Sequence, residues 1–230
     1  MVPLVILAGG RATRLASRSV DRPKFLMPVT QRRVFADVQL AWVAEQGFTD
    51  VVLSIGYRGD MVRQYVGDGA RYGLHVGYAE DGDSPLGTGG AVRRAFATPP
   101  PLLAVLYGDT VLDLDCRQVV AEAQGAIALM TVMVAPEGDR PNAHLENGLV
   151  QYDKKAPQPA WKHIDYGLSV LSAAFVEEIP LTTPVDLAEV FTVVARRGEL
   201  KGHLATRPYH EINTPEALEA FRRRFGDDAP

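Results

Sequence analysis

Short apolar runs alternate with amphipathic stretches through the first half of the chain. Four of these runs are rich in aliphatic residues and predict β-strands over residues 2–7, 51–55, 74–79 and 102–107. Between the first two, residues 34–46 have a helical period, with Val34, Val38, Ala41 and Trp42 on one face and Gly47 as a stop signal. Strands that alternate with helices predict an α/β fold with a mixed, mostly parallel sheet flanked by helices.

The second half of the chain has a looser pattern. Strand-like runs cover 127–134, 149–152 and 164–171, and polar segments that contain proline separate them. The chain carries no repeat, low-complexity tract or long linker. We therefore predict one domain over residues 1–230, in which residues 126–230 form a smaller, β-rich lobe and a final helix packed on residues 1–125.

Two of the predicted strands end in glycine turns. The apolar runs 2–7 and 102–107 lack polar alternation, as strands buried on both faces do, and they continue into "AGG" and "YGDT". Ligands of open α/β sheets bind at the carboxyl ends of the strands. The sequence therefore predicts that both turns face one crevice.

Charge and cysteine content narrow the classes of function. The net charge of −4 argues against general nucleic-acid binding, yet the first 33 residues carry seven Arg and Lys residues against Asp21 alone. This local positive charge indicates a small anionic ligand or a solvated basic face. Cys116 is the single cysteine, which excludes an intramolecular disulfide, and no apolar run reaches membrane-spanning length. We expect a cytoplasmic protein without a membrane or nucleic-acid partner.

The glycine clusters do not match the common nucleotide fingerprints. Neither G-x-G-x-x-G nor G-x-x-x-x-G-K-[ST] occurs, which disfavours a dehydrogenase or a P-loop protein. In "LAGGRATRL", Gly9 and Gly10 lack Cβ atoms, so the backbone N–H groups can approach a phosphate closely, and Arg14 can donate forked hydrogen bonds. An ordinary strand-to-helix turn remains the structural alternative. Lys24 follows the rigid Pro23 and adds a second cation.

Asp109 follows a buried strand inside a tight glycine turn. An ionised carboxylate there needs a partner, and Mg²⁺ commonly binds one or two carboxylates together with substrate phosphates. The alternative is an aspartate that only caps the following segment. If Mg²⁺ binds, a second acidic residue is expected from elsewhere in the chain.

The combined motifs resemble those of the sugar nucleotidyltransferase family. They are "LAGGRATRL", "RPKFLMPV", "PLGTGGAV", "YGDTVLDLD" and "YHEINTPEAL", in the family's order over nearly the whole chain. The "PLGTGGA" loop and the "GDT" turn are most similar to the heptose 1-phosphate guanylyltransferase branch. The resemblance implies a Rossmann-like fold, with a nucleotide-binding part in 1–125 and a sugar-binding part in 126–230.

The resemblance also implies roles for individual residues. It makes Arg14, Lys24 and Asp109 catalytic and places Mg²⁺ on Asp109 and Glu211. Residues implied to bind the nucleotide are Leu7, Ala8, Gly9, Gly10, Arg11, Thr13, Gly87, Thr88 and Gly89. Residues implied to bind the sugar phosphate are Gly108, Lys155, Asp165 and Gly167.

Several positions depart from the family pattern. Ala12 replaces a glycine, which requires a negative φ. Glu211 replaces an aspartate, and Asn213 replaces a glycine. Asp165 stands for an asparagine and Lys154 for an acidic residue, and these two changes alter the charge that faces the sugar.

By resemblance, the expected reaction condenses an NTP, GTP favoured, with a sugar 1-phosphate, a heptose 1-phosphate favoured, to give an NDP-sugar and pyrophosphate. Uridylyl, thymidylyl or cytidylyl transfer to another sugar or alcohol phosphate is the alternative within the family. A non-catalytic nucleotide-sensing subunit and a dehydrogenase are the alternatives from other classes. The oligomeric state stays open, with a homodimer as one option.

Overall fold

One central sheet organises the molecule, which we describe from a computed structural model. The structure describes residues 1–12, 22–80, 86–180 and 184–226. Within these ranges, nine strands form the sheet, in the order β3-β2-β1-β4-β9-β6-β10-β8-β7, and β5 and β11 form a separate two-stranded ribbon. The strands are β1 (Leu4–Leu7), β2 (Asp50–Ile55), β3 (His75–Glu80), β4 (Leu102–Tyr107), β5 (Thr110–Val111), β6 (Ala128–Val134), β7 (Ala143–Glu146), β8 (Leu149–Tyr152), β9 (His163–Ser172), β10 (Leu200–Leu204) and β11 (His210–Glu211).

The sheet is mixed and mostly parallel, as predicted. Strands β3, β2, β1 and β4 pair in parallel, and β9 then pairs antiparallel with both β4 and β6. Strand β10 returns parallel to β6 and antiparallel to β8. The two halves of the chain therefore share one continuous sheet, and β9 joins them.

Helices cover both faces of the sheet. They are α1 (Phe35–Glu45), α2 (Gly59–Val66), α3 (Gly87–Arg94), α4 (Cys116–Glu122), α5 (Ala173–Glu177), α6 (Leu187–Arg196) and α7 (Pro215–Phe225). Side-chain caps begin several of them. Asp186 accepts a hydrogen bond from the Ala188 N–H at the start of α6, and Thr214 caps α7 with Pro215 in its first turn.

Side chains along β1 alternate between the two faces of the sheet and so contribute to two apolar cores. Leu4 and Ile6 belong to the core beneath α1, α2, α4 and α7, whereas Val5 belongs to the core beneath α3, α5 and α6. All three residues are fully buried, as predicted for a strand covered on both faces. Among the described residues, no helix combines the length and apolarity needed to cross a membrane.

The buried face of helix α1 differs from the predicted one. Val38 is buried as expected, but Ala41 is exposed, Trp42 is only partly buried, and Val34 precedes the first turn. Phe35, Leu40 and Val43 fill the core instead. The apolar residues of this segment occupy two adjacent faces, and the helix turns the face with Phe35, Leu40 and Val43 toward the core.

Candidate active site

A cavity of about 520 Å³ opens at the carboxyl ends of β1 and β4. The glycine turns after these two strands line it together, as predicted. Eleven residues of the predicted site line this cavity: Leu7, Ala8, Gly9, Gly10, Lys24, Gly87, Thr88, Gly108, Asp109, Asp165 and Glu211. Thr13 and Arg14 lie outside the described residues, and their predicted roles stay predictions.

The first turn contains two glycines with different surroundings. A Cβ on Gly9 would lie 3.2 Å from the Gly56 backbone nitrogen, so Gly9 packs against the turn after β2. A Cβ on Gly10 would meet nothing within 4 Å. Gly10 is therefore the position where an incoming ligand can approach the backbone. Ala12 has no positive φ, so its replacement of glycine causes no strain.

Arg11 is not among the residues that line this cavity. It is exposed, and its guanidinium lies 4.6 Å from the centre of the Tyr57 ring. Cation–π stacking of this kind occupies the flat face of the guanidinium. A role for Arg11 in nucleotide binding stays a prediction.

The "GTG" turn packs against the segment that leads into α6. The Gly89 N–H donates to the Val185 carbonyl over 2.9 Å, and a Cβ on Gly87 would come 2.7 Å from the carbonyl carbon of Val185. The Thr88 hydroxyl donates to Asp186 and accepts from the Leu187 N–H, each over 2.8 Å. Gly87 and Thr88 line the cavity, whereas Gly89 is buried against Val185. These residues thus join α3 to α6 and form one wall.

Asp109 and Glu211 meet through the β5–β11 ribbon. Glu211 is the register partner of Thr110, the residue after Asp109, and the Ile212 N–H donates to the Asp109 carbonyl over 3.2 Å. The buried Gln39 of α1 supports the same turn, because its amide donates to the carbonyl oxygens of Tyr107 and Thr110. The ribbon therefore brings together two carboxylates that are distant in sequence.

Lys24 pairs with one of these carboxylates. Its ammonium lies 2.7 Å from Asp109 Oδ2 and also donates to Asn213 Oδ1, and the Asn213 amide donates to Glu211. The Lys24 side chain is mostly buried, at 13% exposure. Burial and the neighbouring Asp109 charge raise the pKa of Glu211, which Lys24 and Asn213 partly oppose. Among the described residues, the Asp109 and Glu211 carboxylates thus lie near a single ammonium, that of Lys24.

Asp165 lies deeper in the cavity wall. Its carboxylate accepts a hydrogen bond from the Tyr107 hydroxyl over 2.6 Å and another from the Gly167 N–H over 3.0 Å. Burial raises the pKa of Asp165, and burial and Asp165 together raise the pKa of Tyr107 well above its usual range. Gly167 has a φ of +108° and packs against Tyr107, so it shapes the wall rather than lining the cavity.

The two lysines of "DKK" have different partners. Lys155 is largely exposed and its ammonium lies 2.5 Å from Glu189 on α6, outside the cavity lining. Lys154 pairs with Asp186 over 3.3 Å, and its charge lowers the pKa of Asp165. The role of Lys155 at the sugar phosphate stays a prediction.

Asn213, Tyr107 and Tyr209 also line the cavity, and the sequence assigned none of them a role. Asn213 was noted only as a departure from the pattern, and neither Tyr107 nor Tyr209 was singled out. Asparagine and tyrosine occur throughout proteins, so only their position in the fold makes these three residues candidates for the site. Tyr107 could have been found because it directly precedes Gly108, whereas His210 separates Tyr209 from Glu211 and leaves it without such a signal.

The chain is similar to proteins of known family over most of its length. The family model described as nucleotidyl transferase matches residues 4–160. A mannose-1-phosphate guanylyltransferase of Mycobacterium tuberculosis is 27% identical over 94% of this chain and 62% of its own length. A D-glycero-alpha-D-manno-heptose 1-phosphate guanylyltransferase of Aneurinibacillus thermoaerophilus is 32% identical over 57% of this chain and 56% of its own length. Other relatives are named for uridylyl or cytidylyl transfer.

The solved structures show the same fold. HddC from Yersinia pseudotuberculosis superposes with a TM-score of 0.80 at 24% identity, over 98% of this chain and 100% of that one. The mixed, Rossmann-like fold of this chain thus occurs in solved structures. The chain matches between about half and two thirds of the length of the curated guanylyltransferases.

Proposed function

The chain belongs to the nucleotidyl transferase family, and on that basis we propose that it joins a nucleoside triphosphate to a sugar 1-phosphate and releases pyrophosphate. GTP and a heptose 1-phosphate are the substrates we favour. The observation that carries the proposal is the convergence of the Gly10 turn, Lys24, Asp109 and Glu211 on one cavity.

The reaction needs charge screening more than it needs a base. A phosphate monoester has a second pKa of about 6, so the attacking oxygen is already largely anionic near neutral pH. That oxygen attacks the α-phosphorus of the triphosphate while the bond from this phosphorus to the bridging oxygen breaks, and pyrophosphate leaves with the electron pair. Repulsion between the two anions is the main obstacle.

The site residues match this requirement. Lys24 supplies a mostly buried ammonium beside Asp109, where it can hold a phosphate oxygen and offset the charge that develops. Gly10 leaves space for a ligand to approach the backbone of the first turn. Arg14, which lies outside the described residues, is expected to add a second cation on the triphosphate.

A divalent cation suits the two carboxylates. Asp109 and Glu211 would hold Mg²⁺, which when bound would screen the phosphates and orient them for displacement. The structure supports this placement because two carboxylates face one ammonium, and burial together with Asp109 raises the pKa of Glu211. The described residues contain no group of three or more metal-binding side chains, and two carboxylates with substrate phosphates are the usual arrangement for Mg²⁺.

The choice of base and sugar rests on the relatives. Two heptose 1-phosphate guanylyltransferases are 32% identical over half of this chain or slightly more, and the mannose-1-phosphate guanylyltransferase matches nearly all of it. Transfer of a uridylyl, thymidylyl or cytidylyl group to another phosphate is the alternative, since relatives named for two of these activities also match.

The test is pyrophosphate release with Mg²⁺, using four NTPs and a panel of sugar 1-phosphates that includes a manno-heptose. We expect release with GTP and the heptose phosphate, and a loss of at least about a hundredfold in Asp109→Ala. Thermal unfolding of the variant controls for folding. Release with another pair would revise the substrates, whereas NTP binding without release on any pair would indicate the sensing subunit.

A further inference from the structure

Asn213 contacts both halves of the proposed reaction centre. Its side chain lines the cavity, accepts a hydrogen bond from the Lys24 ammonium and donates one to the Glu211 carboxylate. We propose that Asn213 is a positioning residue, which ties Lys24 to Glu211 and thereby fixes the lysine for phosphate binding. This inference rests on the proposed function.

The polarity of the amide matches its two neighbours. A lysine ammonium can only donate hydrogen bonds, and an ionised glutamate can only accept them. A carboxamide offers an acceptor at one end and donors at the other, and the two partners fix which end is which. A serine hydroxyl is too short to span both partners, and an aspartate would place a third negative charge against Glu211.

The backbone around Asn213 holds the amide in place. The preceding residue, Ile212, is fully buried and its N–H donates to the Asp109 carbonyl. The following residue, Thr214, caps α7, and Pro215 fixes the first helical φ. Asn213 thus sits on a short connection that is fixed on both sides.

The contact with Asn213 explains how Lys24 can stay in the site when a cation competes with it for Asp109. Asp109 is both the ion-pair partner of Lys24 and a proposed metal ligand. A cation bound at Asp109 would repel the ammonium, whereas the Asn213 carbonyl oxygen accepts from Lys24 without adding charge. Asn213 therefore provides Lys24 with a second anchor inside the cavity.

The test uses two variants of Asn213. The first step compares them in the otherwise unmodified chain. Asn213→Leu is nearly isosteric and loses both contacts, and Asn213→Asp keeps the acceptor for Lys24 but loses the donor to Glu211. Hydrogen bonds to charged groups are strong enough that we expect Asn213→Leu to lower kcat by about ten- to a hundredfold, with a smaller change in KM. Asn213→Asp should also lower kcat, because it keeps the acceptor for Lys24 but places a negative charge against Glu211.

A positioning role also predicts coupling. The penalty of Asn213→Leu should shrink by at least about threefold when Lys24→Ala or Glu211→Ala is already present, since the contact that it removes is then partly gone. A purely structural role would give equal penalties in all three backgrounds, and that result would overturn the proposal. Gln118→Leu, which removes the amide-to-carboxylate contact with Glu122 on the exposed face of α4, is the matched control and should change nothing.

Measurements of nucleotide binding distinguish a failure of this proposal from a failure of the proposed function. The affinity for Mg²⁺·GTP is measured by calorimetry in the same variants, and thermal unfolding identifies any variant that fails to fold. If the unmodified chain binds but transfers to no acceptor, the proposed function fails, and coupling between Asn213 and Lys24 in the binding data still supports the positioning role. If the chain is active and both data sets show no coupling, the positioning role alone fails.

Discussion

Gly108 allows the ends of β1 and β4 to come close together. Replacing it with alanine tests this close approach directly. A Cβ on Gly108 would overlap the Leu7 carbonyl oxygen and lie 2.9 Å from the Ala8 Cα atom. Both contacts are with backbone in the parallel β1–β4 pair, which cannot move aside as a flexible side chain can. Gly108 has no positive φ, so the penalty for Gly108→Ala is purely steric.

Overpacking of this kind costs about 1–3 kcal/mol, and for a domain of this size each kcal/mol lowers the unfolding temperature by about 2–4 °C. We therefore expect Gly108→Ala to lower it by about 2–12 °C. Urea denaturation followed by circular dichroism gives the free energy of unfolding directly, and pyrophosphate release shows whether the displaced turn still places Asp109.

Gly10→Ala is the matched control, because its Cβ meets nothing within 4 Å. We expect its stability to stay within about 0.5 kcal/mol of the unmodified chain, while its affinity for Mg²⁺·GTP falls, since the new methyl group enters the space left for the ligand. An unchanged urea midpoint in Gly108→Ala would refute the close approach of the two strands.

Three further predictions test other parts of the site. Lys154→Ala should raise the KM for the sugar 1-phosphate by about tenfold and Lys155→Ala by less than about threefold, because the Lys154 charge acts on Asp165 in the cavity wall whereas Lys155 pairs with Glu189 outside the cavity lining. The reverse ranking in steady-state kinetics would assign the sugar-phosphate contact to Lys155. Burial raises the pKa of Asp165, so the folded state holds that proton more tightly than the unfolded state, and the contribution of Asp165 to stability falls as the pH rises from about 4 toward its raised pKa. The stability of Asp165→Asn relative to the unmodified chain should therefore increase across that window in urea denaturation, and a constant difference would contradict it. Burial raises the pKa of Cys116 to about 12, so a thiol reagent at pH 8 should label the protein only after urea unfolds it; rapid labelling of the folded chain would place Cys116 outside the core.

The features that could be predicted from the sequence are those that a local pattern of residues encodes. The strands that became β1 and β4 are continuous apolar runs, and their glycine turns mark the cavity directly. Helix α6 was missed, although Asp186 caps it and its apolar residues have a helical period. Its start follows proline-rich, threonine-rich sequence that looks like a loop.

Long-range pairing accounts for most of what the sequence could not predict. Strand β9 inserts between β4 and β6, an order that no local period reveals. Strands β5 and β11 have two residues each, too few to show alternation. The contacts of Asn213 with Lys24 and Glu211 depend on that ribbon, and the packing of Gly89 against Val185 depends on α6.

The β5–β11 ribbon also has a consequence for synthesis of the protein. During translation, the first turn, Lys24 and Asp109 leave the ribosome long before Glu211 has been added to the chain. A nascent or prematurely terminated chain that ends before residue 210 has no β11, and so it lacks the second carboxylate and the Asn213 bridge. The ribbon thus makes synthesis through residue 213 a condition for assembling the carboxylate pair and its amide contact.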